Sequence, residues 1–289
     1  MRGHPTGPQA DPRKNPAFGD HQWSDEADIR SRGEYITVTI AGVNSHTPAQ
    51  QALIWLPPSY LDNPDRFYPV ILAFPGIPGS INSYQHDMHI DSIITSLSNE
   101  KSMREAIVVV PTVFPNNRDT ECVNSTDGSV KMESYITDDV TSWIKTNLRA
   151  VDKKEAWTTL GYSAGGWCSS MVTMRHPDRY PTSINLSGYF EPLFDESDPL
   201  VSPDDPSYSL GHIAETEAPE VKIFYWCAHD DDRPIAQLDV FKTQVQKPTS
   251  LNVHLLDNGG HTWPVWVDGA TQGLRWLATQ SDQFAWEQA

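Results

Sequence analysis

The run Glu155-Ala156-Trp157-Thr158-Thr159-Leu160-Gly161-Tyr162-Ser163-Ala164-Gly165, continued by Gly166 to Arg175, reads as a short strand, a very tight turn and a helix. It leaves the chain few architectures. Gly161-Tyr162-Ser163-Ala164-Gly165 fits the pattern G-x-S-x-G, in which a serine sits on a strained strand-to-helix corner with its hydroxyl clear of the backbone. Glycines flank the serine because side chains there would collide where strand and helix come together. A serine hydroxyl is a poor nucleophile by itself. It needs a histidine to take its proton and a carboxylate to hold that histidine, so both partners are sought further along the chain.

Around this corner, strands alternate with helices. Glu34 to Ile40 and Gln51 to Leu56 alternate or end in Pro57-Pro58 and predict an antiparallel pair at a sheet edge. Val70-Ile71-Leu72-Ala73-Phe74 and Ile107-Val108-Val109-Val110 are continuous apolar runs, the mark of strands covered on both faces. Further strands are expected at Trp157 to Leu160, Thr182 to Ser187, Val221 to Ala228 and Leu251 to Leu256. Helices are expected near 87–99, 138–148, after Ser163, and near 235–245 and 269–279. The alternation predicts an α/β fold with a mostly parallel central sheet and helices on both faces. Residues 190–220 break the rhythm, with nine carboxylates and no lysine or arginine, and predict a lid-like insertion. Residues 1–32 show little apolar periodicity and are expected to form a tail or linker remnant ahead of one domain over 33–289.

The net charge of −17 sets nucleic acid and anionic membrane surfaces aside as partners. No run reaches the roughly 18 apolar residues of a membrane helix, so stable insertion is not expected. Three cysteines are too few for a disulfide scaffold. Cys122 and Cys168 fall at the same end of the sheet, and on spacing alone a bridge and two free thiols are equally compatible.

In a doubly wound sheet, ligands gather at the carboxyl ends of the strands. The strand ending at Ala228 runs into His229-Asp230-Asp231-Asp232, and the one ending at Leu256 runs into Asp257-Asn258-Gly259-Gly260-His261. Serine, aspartate and histidine thus follow one another in the order found in α/β-hydrolases. His261 is the candidate base. Asp231 is the first candidate for the acid and Asp230 the second, and the remaining aspartates can cap the helix that follows. The glycine-rich loop Pro75 to Ser80 offers free N–H groups, so Ile77 and Ala164 are the candidate oxyanion-hole donors. No cofactor is required. The ligand types in His86-Asp87-Met88-His89 and His229 to Asp232 have no recognised metal spacing, so no metal is expected. A peptidase with the same triad, or a binding module without catalysis, is the rival reading.

Several motifs together narrow this further. Arg118-Asp119-Thr120-Glu121-Cys122, Gly161 to Cys168, Arg175-His176-Pro177-Asp178, Asn185-Leu186-Ser187-Gly188-Tyr189, and Gly259-Gly260-His261 followed by Trp266 resemble the esterase D and mycolyltransferase group, particularly its actinobacterial members. The resemblance spans about residues 65–280. It implies an α/β-hydrolase fold, a secreted or cell-envelope location, and acyl-ester chemistry on a small-molecule or glycolipid ester, by hydrolysis or by transfer to a sugar hydroxyl. It also implies that Asp231 is the acid and that Cys122 and Cys168 are bridged. The chain departs from many members at Phe74-Pro75-Gly76-Ile77, where they carry His-Gly or Asp-Gly.

Overall fold

The computed structural model describes residues 8–287. Its centre is an eight-stranded sheet in the order β1-β2-β4-β3-β5-β6-β7-β8. The strands are β1 (Glu34–Ile40), β2 (Gln50–Leu56), β3 (Val70–Phe74), β4 (Ile107–Pro111), β5 (Trp157–Tyr162), β6 (Thr182–Leu186), β7 (Lys222–Ala228) and β8 (Ser250–Leu256). β1 and β2 form an antiparallel edge pair, β2 is antiparallel to β4, and the remaining pairings are parallel. The helices are α1 (Glu26–Arg32), α2 (Ser83–His86), α3 (Ile90–Asn99), α4 (Met132–Ser134), α5 (Thr141–Asn147), α6 (Ala164–Arg175), α7 (Leu210–Thr216), α8 (Asp232–Gln244) and α9 (Trp263–Gln280). None of the described helices is long and apolar enough to cross a membrane.

The period-two rule explains why the central strands read as unbroken apolar runs. Along β3, Val70, Leu72 and Phe74 join the core under α5, α6 and α8, whereas Ile71 and Ala73 join the core under α3 and α9. Both faces of the strand are covered, so neither can be polar. β5 is buried at every position for the same reason. This is the fold class expected from the sequence, with two refinements of length. The helical run before β5 begins at Met132 and passes through a π-helical stretch, Tyr135–Val140, before α5. The last helix begins at Trp263, so it starts directly behind the loop that carries His261.

The expected tail needs correction. Residues 1–7 of it lie outside the described residues, but Pro12–Lys14 and Pro16–Phe18 form 3-10 turns and α1 follows. Phe18 and Ile29 are buried, and the Asn15 side-chain amide donates to the carbonyl of Asn147. α1 is capped at both ends. The Asp25 carboxylate accepts the Asp28 N–H, and Gly33, at φ 72°, donates its N–H to Ile29. A Cβ on Gly33 would come within 2.3 Å of the Leu56 carbonyl oxygen, so only glycine fits. Two apolar anchors set among polar residues have no period, which is why a pattern search passes over them.

The acidic stretch near 190–220 is held down at several points. Phe190, Leu200, Val201 and Tyr208 are buried in the main core, and α7 packs within it. Leu193 N–H donates to Glu121, Thr126 N–H donates to the Leu200 carbonyl, and Arg118 pairs with Asp198 at 3.0 Å. Beneath it, the buried Glu133 carboxylate binds Arg175 at 2.9 Å and His176 at 2.7 Å and also accepts from the Tyr208 hydroxyl.

Candidate active site

β5 delivers Ser163 to the carboxyl edge of the sheet and α6 leaves at once. Ser163 takes φ 55° and ψ −128°, a conformation costing an L-residue on the order of 1–3 kcal/mol. The turn closes around it so tightly that a Cβ on Gly161 would lie 1.9 Å from the Gly165 carbonyl oxygen, and one on Gly165 would lie 2.1 Å from that of Phe74. The two glycines that flank the serine are thus demanded by backbone against backbone.

The structure brings three of the candidate residues together. His261 Nε2 is 2.8 Å from Ser163 Oγ, and His261 Nδ1 is 2.5 Å from Asp231 Oδ2. A carboxylate only accepts, so Nδ1 carries the proton and Nε2 is left to receive one from the serine. Asp231 is buried, whereas the His261 side chain is 35% exposed. Asp230 does something else. Its carboxylate accepts the N–H groups of Gly260 at 2.8 Å and Gly259 at 3.3 Å, which hold it below the usual aspartate pKa range. Asp231 therefore touches the imidazole and Asp230 shapes the loop that carries it. Asp232 lies in the first turn of α8.

Of the two candidate oxyanion donors, Ala164 follows the serine directly and Ile77 follows Gly76 in the loop after β3. Ala164 opens α6, and among the described residues neither its N–H nor that of Ile77 enters a backbone hydrogen bond outside the helices and strands. The loop after β3 is pressed against the corner, since a Cβ on Gly76 would sit 3.2 Å from Ser163 Cβ.

The sequence motifs include Tyr162 and Trp266 but do not show that they prop these groups from behind. Tyr162, adjacent to the nucleophile, donates to or accepts from Ser83 Oγ at 2.7 Å, and a Cβ on Gly76 would meet its ring at 2.9 Å. The same ring stacks on Trp266 at 4.9 Å and meets Trp263 at 4.6 Å. Trp266 in turn presents an edge-to-face contact to His261 at 4.8 Å and donates its indole N–H to Ser187 Oγ. One aromatic chain thus runs from the oxyanion loop to the base. Burial raises the pKa of the Tyr189 phenol, which lies beside the Ser163 hydroxyl.

Glu121 falls within one of the motifs read from the sequence, but nothing in that motif shows what it does. It is buried at φ 45°, its carbonyl accepts the Trp167 indole N–H at 2.8 Å, and its carboxylate accepts Leu193 N–H at 3.0 Å. The neighbouring Cys122 is bridged to Cys168 of α6. Burial first, and the Asp119 charge second, push the Glu121 carboxyl well above the ordinary range. A raised carboxyl favours folding at low pH and loses that contribution as pH climbs through its folded value. Glu121→Gln is therefore expected to raise the melting temperature more at pH 8 than at pH 5. An equal change at both pH values would contradict this reading.

Comparison with known proteins places the chain. An uncharacterized protein of Corynebacterium glutamicum is 24% identical over 273 residues, covering 87% of this chain, and the chain spans 63% of that relative's length. Among solved structures, a ferulic acid esterase superposes with a TM-score of 0.71 at 19% identity, covering 85% of this chain and 97% of the other. The S-formylglutathione hydrolase of Agrobacterium tumefaciens also gives 0.71, at 14% identity over 91% of this chain and 99% of its own. MPT51 of Mycobacterium tuberculosis gives 0.59 at 12% identity, covering 83% of this chain and 97% of its own. At such identities these likenesses speak for the fold. The model of the family described as "Putative esterase" matches residues 48–282, from the second strand to the end of the last helix, and the chain belongs to that esterase family.

Proposed function

We propose that the protein is a serine carboxylic ester hydrolase acting through an acyl-enzyme. The observation that carries this is the hydrogen-bonded line from Ser163 through His261 to Asp231, at 2.8 and 2.5 Å. Ser163 Oγ attacks the ester carbonyl carbon while His261 Nε2 takes its proton, and Asp231 stabilises the imidazolium that forms. The negative oxygen of the tetrahedral intermediate is held by the N–H groups of Ile77 and Ala164. His261 returns the proton to the departing alcohol, then draws one from water as the water oxygen attacks the acyl carbon. It passes that proton to Ser163 Oγ as the ester bond to the serine breaks and the acid leaves. The open face of His261 admits water to that second step, which favours hydrolysis over transfer to a sugar hydroxyl.

The substrate we infer is a neutral acylated sugar or an envelope glycolipid, with the protein working outside the cytoplasm. The resemblance to the mycolyltransferase group supports the substrate, and the net charge of −17 disfavours anionic esters. The Cys122–Cys168 bridge supports an oxidising compartment. The test compares p-nitrophenyl acetate with acetyl-p-nitroanilide, which share an acyl group. Faster turnover of the ester is expected, and faster turnover of the anilide would reject the proposal in favour of a peptidase.

The Tyr162 hydroxyl has no part in the chemistry but props the loop that holds Ile77. Tyr162→Phe removes its bond to Ser83 and is expected to lower kcat roughly 3- to 10-fold with KM little changed, since oxyanion donors act mainly in the transition state. A rise in KM alone would show instead that Tyr162 serves substrate binding.

A further inference from the structure

Away from the triad, the loops after β1 and β4 and the turn at 124–131 enclose a pocket of about 520 Å3. That volume suits a small ligand. Its wall is unusual for this chain. Aspartate and glutamate outnumber lysine and arginine by 38 to 21, yet no carboxylate lines the pocket, whereas His46, Arg118 and Lys131 do. The carboxylate of the adjoining turn, Asp127, is folded back onto Ser125 and Ser129, which draw its pKa down to about 2. Arg118 pairs with Asp198 at the rim, whereas the exposed Lys131 makes no ion pair with the described residues. Pro48, Pro115, Val130 and Met132 supply apolar wall between these groups.

Other pockets do not share this character. One of about 560 Å3 carries Lys145, Lys153, Lys154 and Arg179 but sets Asp138, Asp152 and Asp178 among them, and one of about 590 Å3 is lined by Asp28, Glu34 and Asp91. The wall is also preformed. His46 at φ 60° and Asn116 at φ 54° are fixed in left-handed conformations, and the loop beside His46 is held by the buried Asp139, whose carboxylate accepts the N–H groups of Asn44 and Ser45 at 2.7 and 3.0 Å. A site that is already shaped loses less on binding.

We propose that this pocket binds a small organic monoanion with an apolar body, its negative group on Lys131 and its body against the prolines, Val130 and Met132. A pocket whose own lining holds cations and no carboxylate, with apolar residues between polar ones, rewards one negative charge and disfavours a neutral analogue of equal shape. This site stands apart from the catalytic reading and does not depend on it.

The test is calorimetric titration of the full chain with 4-phenylbutyrate and with 4-phenylbutyramide, the same body without the charge. The carboxylate is expected to bind at least about tenfold more tightly than the amide. Lys131→Gln should weaken it several-fold and Lys131→Glu should abolish it, with melting temperatures showing that both variants fold. Equal binding of the two compounds, binding indifferent to Lys131, or no saturation by roughly 20 mM would overturn the proposal.

Discussion

Ser163→Ala is expected to abolish labelling by a fluorophosphonate probe and to lower ester turnover roughly 10⁴- to 10⁶-fold, the range seen when a triad nucleophile is removed. The expectation rests on the corner geometry. The φ of 55° and the contacts of 1.9 and 2.1 Å that any Cβ on the flanking glycines would make hold the serine in one place, 2.8 Å from His261. Alanine accepts the same backbone strain, so the fold survives and the loss belongs to the hydroxyl. Residual turnover would reflect Ile77 and Ala164 N–H groups acting on bound ester. Turnover within tenfold of the parent would mean that the chemistry lies elsewhere.

The second large effect separates two adjacent aspartates. Asp231→Asn is expected to lower kcat about 10⁴-fold, because the amide can donate to Nδ1 and so favours the tautomer with its proton on the nitrogen facing Ser163. Asp230→Asn keeps a side-chain oxygen able to accept a glycine N–H and should cost no more than about tenfold, through a looser histidine loop. Measuring both variants at saturating substrate decides the assignment. A larger loss at position 230 than at 231 would reverse it.

Much of the fold was legible in the sequence because buried strands cannot hide. Val70 to Phe74 and Ile107 to Val110 must be apolar on both faces, and G-x-S-x-G admits one kind of corner. The residue order Ser163, Asp231, His261 was readable because loops at the carboxyl ends of parallel strands converge. What was not legible depends on contacts between distant segments. Nothing local marks Glu121 as buried, and nothing in Asp230-Asp231 states which carboxylate meets the ring and which meets Gly259 and Gly260. α7 lay unseen inside the acidic stretch because its seven residues are too few for a clear period. Tyr162 acts through Ser83 and Trp266, partners that sequence distance conceals.

The belt formed by residues 9–32 has a practical meaning for anyone dissecting this molecule. Trp55 in the second strand donates its indole N–H to the Arg32 carbonyl, and Glu34 at the start of the first accepts from His21 and from Ser24 N–H. A fragment begun at Gly33, where the periodic pattern alone would invite a cut, strips the first two strands of these partners and lays bare the apolar patch that Phe18 covers. Such a fragment should clump, since unprotected sheet borders recruit one another. The safer starting point lies upstream of Asp11.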